Sequence, residues 1–211
     1  MGRPLLLVAY RVGFAALTLV AILAQAADLA GRGVLDPVSF LSYFTIQSNL
    51  IAVAVFLIGA ARWRSPSSPT WDLVRGQSVL VMTVTLIVFA LLLSGTDVDT
   101  ALQWVDLVVH RIMPIAVMID WVIDPPTPIS FRRSLRWLIY PLAWVGYALI
   151  RGALTGRYPY PFLDPANGGY GTVAVYIVAI LILGIVLCGA IAWVGSWAAA
   201  RRQARLEGRG S

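Results

Sequence analysis

The sequence predicts an all-α polytopic integral membrane protein, a bundle of six transmembrane helices, and three observations predict it. Of its 211 residues 59% are hydrophobic and only 12% are charged, against about 25% charged in an ordinary globular domain. The mean hydropathy is +0.81. Apolar stretches of about twenty residues, the length that crosses the hydrocarbon core as a helix, recur six times. They leave no segment long enough to fold alone, so residues 1–211 read as one transmembrane unit. This composition excludes a soluble enzyme. It also excludes a disulfide scaffold, since the one cysteine, Cys188, lies inside an apolar run.

The first span is expected over 5–26. Its length and its internal Arg11 mark it as a retained helix rather than a cleaved signal peptide. Gly31, Gly33 and Pro37 break the chain before the second span, 39–61, which is unusually polar at its start, with Ser42, Thr45, Gln47, Ser48 and Asn49. At about 100° per residue, Ser42, Thr45, Ser48 and Asn49 share one side and Gln47 points away. The run Ser65-Pro66-Ser67-Ser68-Pro69 separates it from the third span, 77–95, and a turn at 95–99 leads into the fourth, 100–122. The fourth carries Asp106, His110, Arg111 and Asp120. Pro125-Pro126-Thr127-Pro128 follows, then a fifth span over 135–154 with Tyr140, Trp144, Tyr147 and Arg151 on one stripe. A segment rich in Pro, Gly and Tyr over 156–171 precedes the last span, 172–200, and its aromatic residues suit the membrane interface or the mouth of a cavity.

Topology follows from the arginines, because short loops rich in Lys and Arg stay on the cytoplasmic side. Arg3, Arg62, Arg64, Arg75, Arg132, Arg133, Arg136, Arg201, Arg202, Arg205 and Arg209 fall on one side, and Arg32 and Arg157 on the other. Both termini are therefore expected in the cytoplasm, and the membrane to be the inner or plasma membrane. The net charge of +6 is accounted for by topology, so nucleic acid is not needed as a partner.

An ionisable group inside the bilayer requires a partner, a wet cavity or a function. Asp106 and His110 are four residues apart on one helix face, so the carboxylate can bind one ring nitrogen and leave the other free. His110 is the only histidine, which removes paired-His haem ligation and leaves no His-rich metal site; no cofactor or metal is expected. Counting 1.5 Å per residue from the external side, Thr45 and His110 lie at comparable depth in the outer half of the bilayer. Two readings of these residues stand side by side. Thr45 can be a packing hydroxyl bonded to its own helix and His110 a structural bridge. Alternatively, His110 steadied by Asp106 is a base that takes the Thr45 proton, with Asn49, Ser48 or an arginine as oxyanion donors. Arg11, Arg111 and Arg151 are expected to pair with Asp106, Asp120 or lipid head groups.

Three short stretches, Tyr43-Phe44-Thr45-Ile46-Gln47-Ser48-Asn49-Leu50, His110 to Trp121 and Tyr160-Pro161-Phe162-Leu163-Asp164, together resemble the androgen-induced gene protein family, and in particular its bacterial six-span relatives. The resemblance implies a multi-span bundle in which a membrane-embedded threonine and histidine hydrolyse fatty acid esters of hydroxy fatty acids. Carried over by motif position, these are Thr45 and His110, with Asp120, ten residues after the histidine, as a matching acidic residue. On this reading Asp106, Ser48, Asn49 and Asp120 support the site, and the partner is a membrane lipid ester. The alternative is a protein that binds or transports a small lipid or solute through the same polar cavity without catalysis. No Gly-x-Ser-x-Gly elbow occurs.

Overall fold

A computed structural model describes residues 5–93 and 102–208. The expected turn at 95–99, the end of the third span and the start of the fourth that flank it, and Arg3 and Arg209 lie outside the described residues. Everything described is helix or connector: an all-α bundle of a multi-pass membrane protein.

Helix α1 (Leu5–Gly31) runs one turn past its predicted end. The second span is not continuous. It divides into α2 (Pro37–Ser42) and α3 (Phe44–Ala61) at Tyr43, whose ψ of 130° is extended. A broken helix inside a bilayer needs its polar groups satisfied by protein, and the stripe on the fifth span does this. Trp144 Nε1 donates to the Ser42 carbonyl at 3.0 Å, the Tyr147 hydroxyl lies 2.7 Å from Ser42 Oγ, and Tyr140 donates to Gln47 Oε1 at 2.7 Å. Arg151 Nη2 donates to Ser39 Oγ at 2.7 Å. The stripe is thus a polar seam that holds the break open.

Helix α4 (Pro69–Val88) begins eight residues before the expected start of the third span, with Ser68 capping Trp71 N and Pro69 in its first turn. The early turns were hidden by their charges, Asp72 and Arg75, of which Arg75 was read as flanking the connector; both are buried. A π turn (Phe89–Leu93) extends α4. The fourth span is built from α5 (Gln103–Leu107), a second π turn (Val108–Ile112) and α6 (Met113–Ile123). Pro114 has no N–H to give the carbonyl four residues back, at His110, and its ring crowds that carbonyl. The wider π turn accommodates both effects at the histidine itself.

After α7 (Phe131–Ser134) and one 3-10 turn (Leu135–Leu138), α8 (Ile139–Thr155) ends at Gly156, whose φ of 70° needs glycine. The following segment makes two 3-10 turns (Pro161–Leu163 and Pro165–Asn167) and enters α9 (Gly169–Glu207). At 39 residues α9 is roughly 58 Å long at 1.5 Å per residue, well beyond the hydrocarbon core. Five helical stretches, Leu5–Gly31, Phe44–Ala61, Pro69–Leu93, Phe131–Thr155 and Gly169–Arg205, are long and apolar enough to cross a membrane. The α5–α6 stretch makes the sixth; Asp106, Arg111 and Asp120 lower its hydropathy.

Helix α4 is the centre of the bundle, packed against α3, α6 and α9. Leu80, Val81 and Met82 are fully buried there, with Phe56, Met113 and Trp121 around them. Gly76 lets the Trp137 ring lie against the α4 backbone, where an added Cβ would fall 2.0 Å from the ring. At one end, Arg11, Arg75, Asp72, Asp120 and Asp124 are buried together. Arg11 binds Asp120 at 2.7 Å and Asp124 at 2.8 Å, Arg75 binds Asp120 at 3.0 Å, and Arg202 reaches Asp124 at 3.8 Å. Thr127 donates to Asp72 through its N–H and its hydroxyl. This clasp gathers α1, α4, the 124–127 connector and α9 at one end of the bundle. Arg157 meets Asp36 at 3.4 Å at the other.

Candidate active site

The break at Tyr43 makes Thr45 the second residue of α3, and the π turn presents His110 to it. Thr45 Oγ1 lies 3.2 Å from His110 Nε2, and His110 Nδ1 lies 2.8 Å from Asp106 Oδ1. The Phe89 ring, in the π turn of α4, stacks on the imidazole at 3.9 Å with an interplanar angle of 11°. His110 is fixed from one face by Phe89 and at one nitrogen by Asp106.

The directions of these bonds follow from donor chemistry. In the tautomer of a neutral His110 that carries its hydrogen on Nδ1, that hydrogen goes to the Asp106 carboxylate and Nε2 accepts. The Thr45 hydroxyl therefore donates to Nε2. A second hydroxyl, that of Tyr160, lies 3.2 Å from Thr45 Oγ1 and accepts from Thr45 N at 3.2 Å. With the threonine hydrogen already committed to His110, the phenol is the donor to Oγ1. The result is a directed chain from Tyr160 through Thr45 and His110 to Asp106.

In the sequence reading Tyr160 belongs to an aromatic segment and opens the third stretch of the family resemblance, with no role assigned to it in the site. Its neighbours Pro159 and Pro161 stiffen that segment, and the ring is buried against Trp144 at 5.8 Å, Tyr43 at 5.8 Å and Phe162 at 5.3 Å. A tyrosine locked between prolines was the available signal, but the descent of the loop into the bundle is a tertiary feature.

Other expected supporting residues are placed differently. Asn49 Nδ2 donates to the Thr45 carbonyl at 2.8 Å and the Val109 carbonyl at 3.0 Å. One amide hydrogen returns to its own helix and the other pins α3 to the π turn, which leaves neither for the oxyanion role expected of Asn49. Ser48 Oγ is fully buried without a hydrogen-bond partner among the described residues, and Ser48 lines neither cavity beside Thr45. Asp120 is not part of the site. It belongs to the charged clasp, ten residues and so about 15 Å along the helix from His110. Arg11 pairs with Asp120 as expected, whereas Arg111 lies over the Phe89 ring at 5.9 Å.

Two cavities meet at Thr45. A vestibule of about 640 Å³ is lined by Asp36, Tyr43, Asp106, His110, Tyr158 and Asp164, among others. A narrow cleft of about 80 Å³ runs between α4, α8 and α9, lined by Leu80, Val84, Leu142, Val145, Ile177 and Leu181. Thr45, Phe89, Leu93 and Tyr160 border both. Among the described residues no group of three or more His, Cys, Asp or Glu side chains is placed to hold a metal ion. Chemically, the arrangement offers a hydroxyl with a base at hydrogen-bond reach, a carboxylate steadying that base, and a phenol beside the reacting oxygen. In comparisons with known proteins, no family model, no curated protein and no solved structure matches the chain.

Proposed function

We propose that this protein is an intramembrane hydrolase of lipid esters in the inner or plasma membrane, with Thr45 as nucleophile and His110 as general base. The observation that carries the reading is the chain of hydrogen bonds from Thr45 Oγ1 to His110 Nε2 and from His110 Nδ1 to Asp106, at 3.2 and 2.8 Å, at the meeting point of two cavities. A packing threonine in a membrane helix commonly satisfies itself on its own backbone, as Thr18, Thr83 and Thr85 do here. Thr45 instead turns its hydroxyl to a histidine and a tyrosine. The resemblance to the androgen-induced gene protein family supports the same pair of residues.

In this mechanism Thr45 Oγ1 attacks the ester carbonyl carbon while its proton passes to His110 Nε2. The imidazolium is held by the Asp106 carboxylate. Collapse of the tetrahedral intermediate breaks the bond to the alcohol oxygen, which takes the proton from His110, and the acyl group stays on Thr45. Water then attacks the acyl-threonine, His110 accepts the water proton, and the proton returns to Thr45 Oγ1 as the fatty acid leaves. Intact mass measurement after a short incubation with a lipid ester tests this. The expected product is a protein heavier by one acyl group, an adduct absent from Thr45→Ala; an adduct mapped to any other residue overturns the assignment.

A further inference from the structure

The two cavities differ in chemistry, and the difference bears on which ester the site takes. Among the described residues that line the cleft between α4, α8 and α9, polar side-chain groups belong to Thr45, Thr85, Tyr160 and Trp144, whose N–H is spent on the Ser42 carbonyl. Thr85 spends its hydroxyl on the Val81 carbonyl of its own helix at 2.9 Å. The remaining hydroxyls sit together at the end that adjoins His110. Leu142, at the edge of the cleft, is exposed, so its lipid-facing side is open. A narrow, apolar slot entered from lipid and ending at a nucleophile suits an acyl chain and offers nothing to a polar group.

The vestibule is the opposite. Three carboxylates line it, Asp36, Asp106 and Asp164, with the aromatic rings of Phe40, Tyr43, Tyr158 and Tyr160, and no arginine is among its described lining residues. Asp106 is committed to His110. Asp36 takes hydrogen bonds from Ser39 Oγ at 2.6 Å and Val38 N at 3.1 Å, and Asp164 takes one from Ala166 N at 2.9 Å. Hydrogen bonding from the Ser39 side chain, above all, holds the Asp36 carboxyl below its ordinary range, so it stays charged at neutral pH. Arg111 lies close by, over the Phe89 ring at 5.9 Å, without being among the described lining residues, and two further cations are at the rim. Arg157 lies 3.4 Å from Asp36 but is itself 70% exposed, and Arg151 is bonded to Ser39 and to the Arg157 carbonyl. The exposed Arg157 guanidinium, like the 40% exposed Asp36 side chain that it faces, is screened by water and salt.

Resting on the hydrolase reading, the geometry points to an ester whose acyl chain enters the cleft by its first carbons and continues into the bilayer, and whose alcohol part, neutral or cationic, occupies the vestibule. An alcohol carrying a carboxylate meets like charges there. Esters of hydroxy fatty acids, which the family resemblance implies, are thereby disfavoured relative to esters of a neutral polyol or an amino alcohol. Carboxylates beside tyrosine rings also suit an ammonium group.

The experiment uses the full chain in liposomes of zwitterionic lipid and palmitoyl esters of glycerol, choline and glycolic acid. The glycerol and choline esters are expected to show kcat/KM at least about tenfold above the glycolate ester, the size of effect that a carboxylate several ångströms away exerts in a partly wet site. The double variant Asp36→Asn, Asp164→Asn keeps both capping oxygens and should narrow that gap at least about threefold. Leu181→Trp fills the cleft and should lower turnover of stearoylglycerol relative to octanoylglycerol by about tenfold. A glycolate ester cleaved as well as the others, a gap unmoved by the double variant, or an unchanged chain-length preference in Leu181→Trp overturns this inference while leaving the hydrolase intact. Cleavage that survives Thr45→Ala, or no cleavage of any ester by the parent, overturns the hydrolase reading and this one with it.

Discussion

Replacing Tyr160 by Phe removes one oxygen and keeps the ring that packs against Trp144, Tyr43 and Phe162. The lost hydroxyl lies 3.2 Å from Thr45 Oγ1, and in the proposed mechanism a phenol beside the nucleophile is the donor for the developing oxyanion. Loss of one such donor lowers kcat by about a hundredfold or more in comparable sites. Tyr160→Phe should therefore retain its melting temperature and lose kcat on that scale with KM little changed, measured on one detergent preparation; unchanged kcat would make the phenol a packing group. Asp106→Asn keeps the shape but loses the charge that steadies an imidazolium. Its expected signature is a large fall in turnover without loss of expression. That the side chains of Thr45, Asp106 and His110 meet was legible beforehand, because a spacing of four puts Asp106 over His110 and depth counting levels the two helices. The Asn49 clamp was not legible, since its acceptors lie one on its own helix and one on the π turn. Asp120 fits the resemblance by its spacing, but ten residues of helix carry it to the far clasp.

At the level of elements, the departures from regular helix are what build the site. The extended Tyr43 starts α3 beside Thr45, and the π turn enforced by Pro114 surrounds His110. Sequence patterning sees apolar runs, so it anticipated a multi-pass helical bundle and missed both interruptions, which depend on partners in other helices. It also placed Arg75 in a connector because a charge inside a span has no apparent partner until Asp120 and Asp124 are brought to it. Removing one member of a buried charged network leaves its partners uncompensated and costs about 3–5 kcal/mol. Arg11→Met is expected to lower the melting temperature sharply in detergent. The protein that remains folded should keep its specific activity, since the clasp lies about 15 Å of helix away from His110. Specific activity lost in proportion to nothing but the substitution, at unchanged melting temperature, would tie the clasp to the site instead.

For the whole molecule, the same charge distribution governs orientation. The clasp places the start of α1, the 62–68 and 124–130 connectors and the end of α9 at one end of the bundle, while the vestibule opens at the end that carries Asp36, Arg157 and Asp164. If the arginine-rich end is cytoplasmic, Ser65→Cys should be shielded from a membrane-impermeant maleimide in intact cells and Ala166→Cys should react. Cys188 is buried and stays silent in the assay. The reverse pattern would turn the vestibule towards the cytoplasm. A hydrolase oriented in this way draws its acyl chain from the bilayer and releases the alcohol outward, and that account depends on one oxygen atom. Turnover of palmitoylglycerol by the parent and by Thr45→Ala, in matched proteoliposomes with insertion verified, is the most direct test. Hydrolysis by the parent and its loss in Thr45→Ala, with partial activity kept by Thr45→Ser, is the predicted result; equal hydrolysis by the parent and Thr45→Ala would contradict the account and leave a lipid-binding cavity in its place.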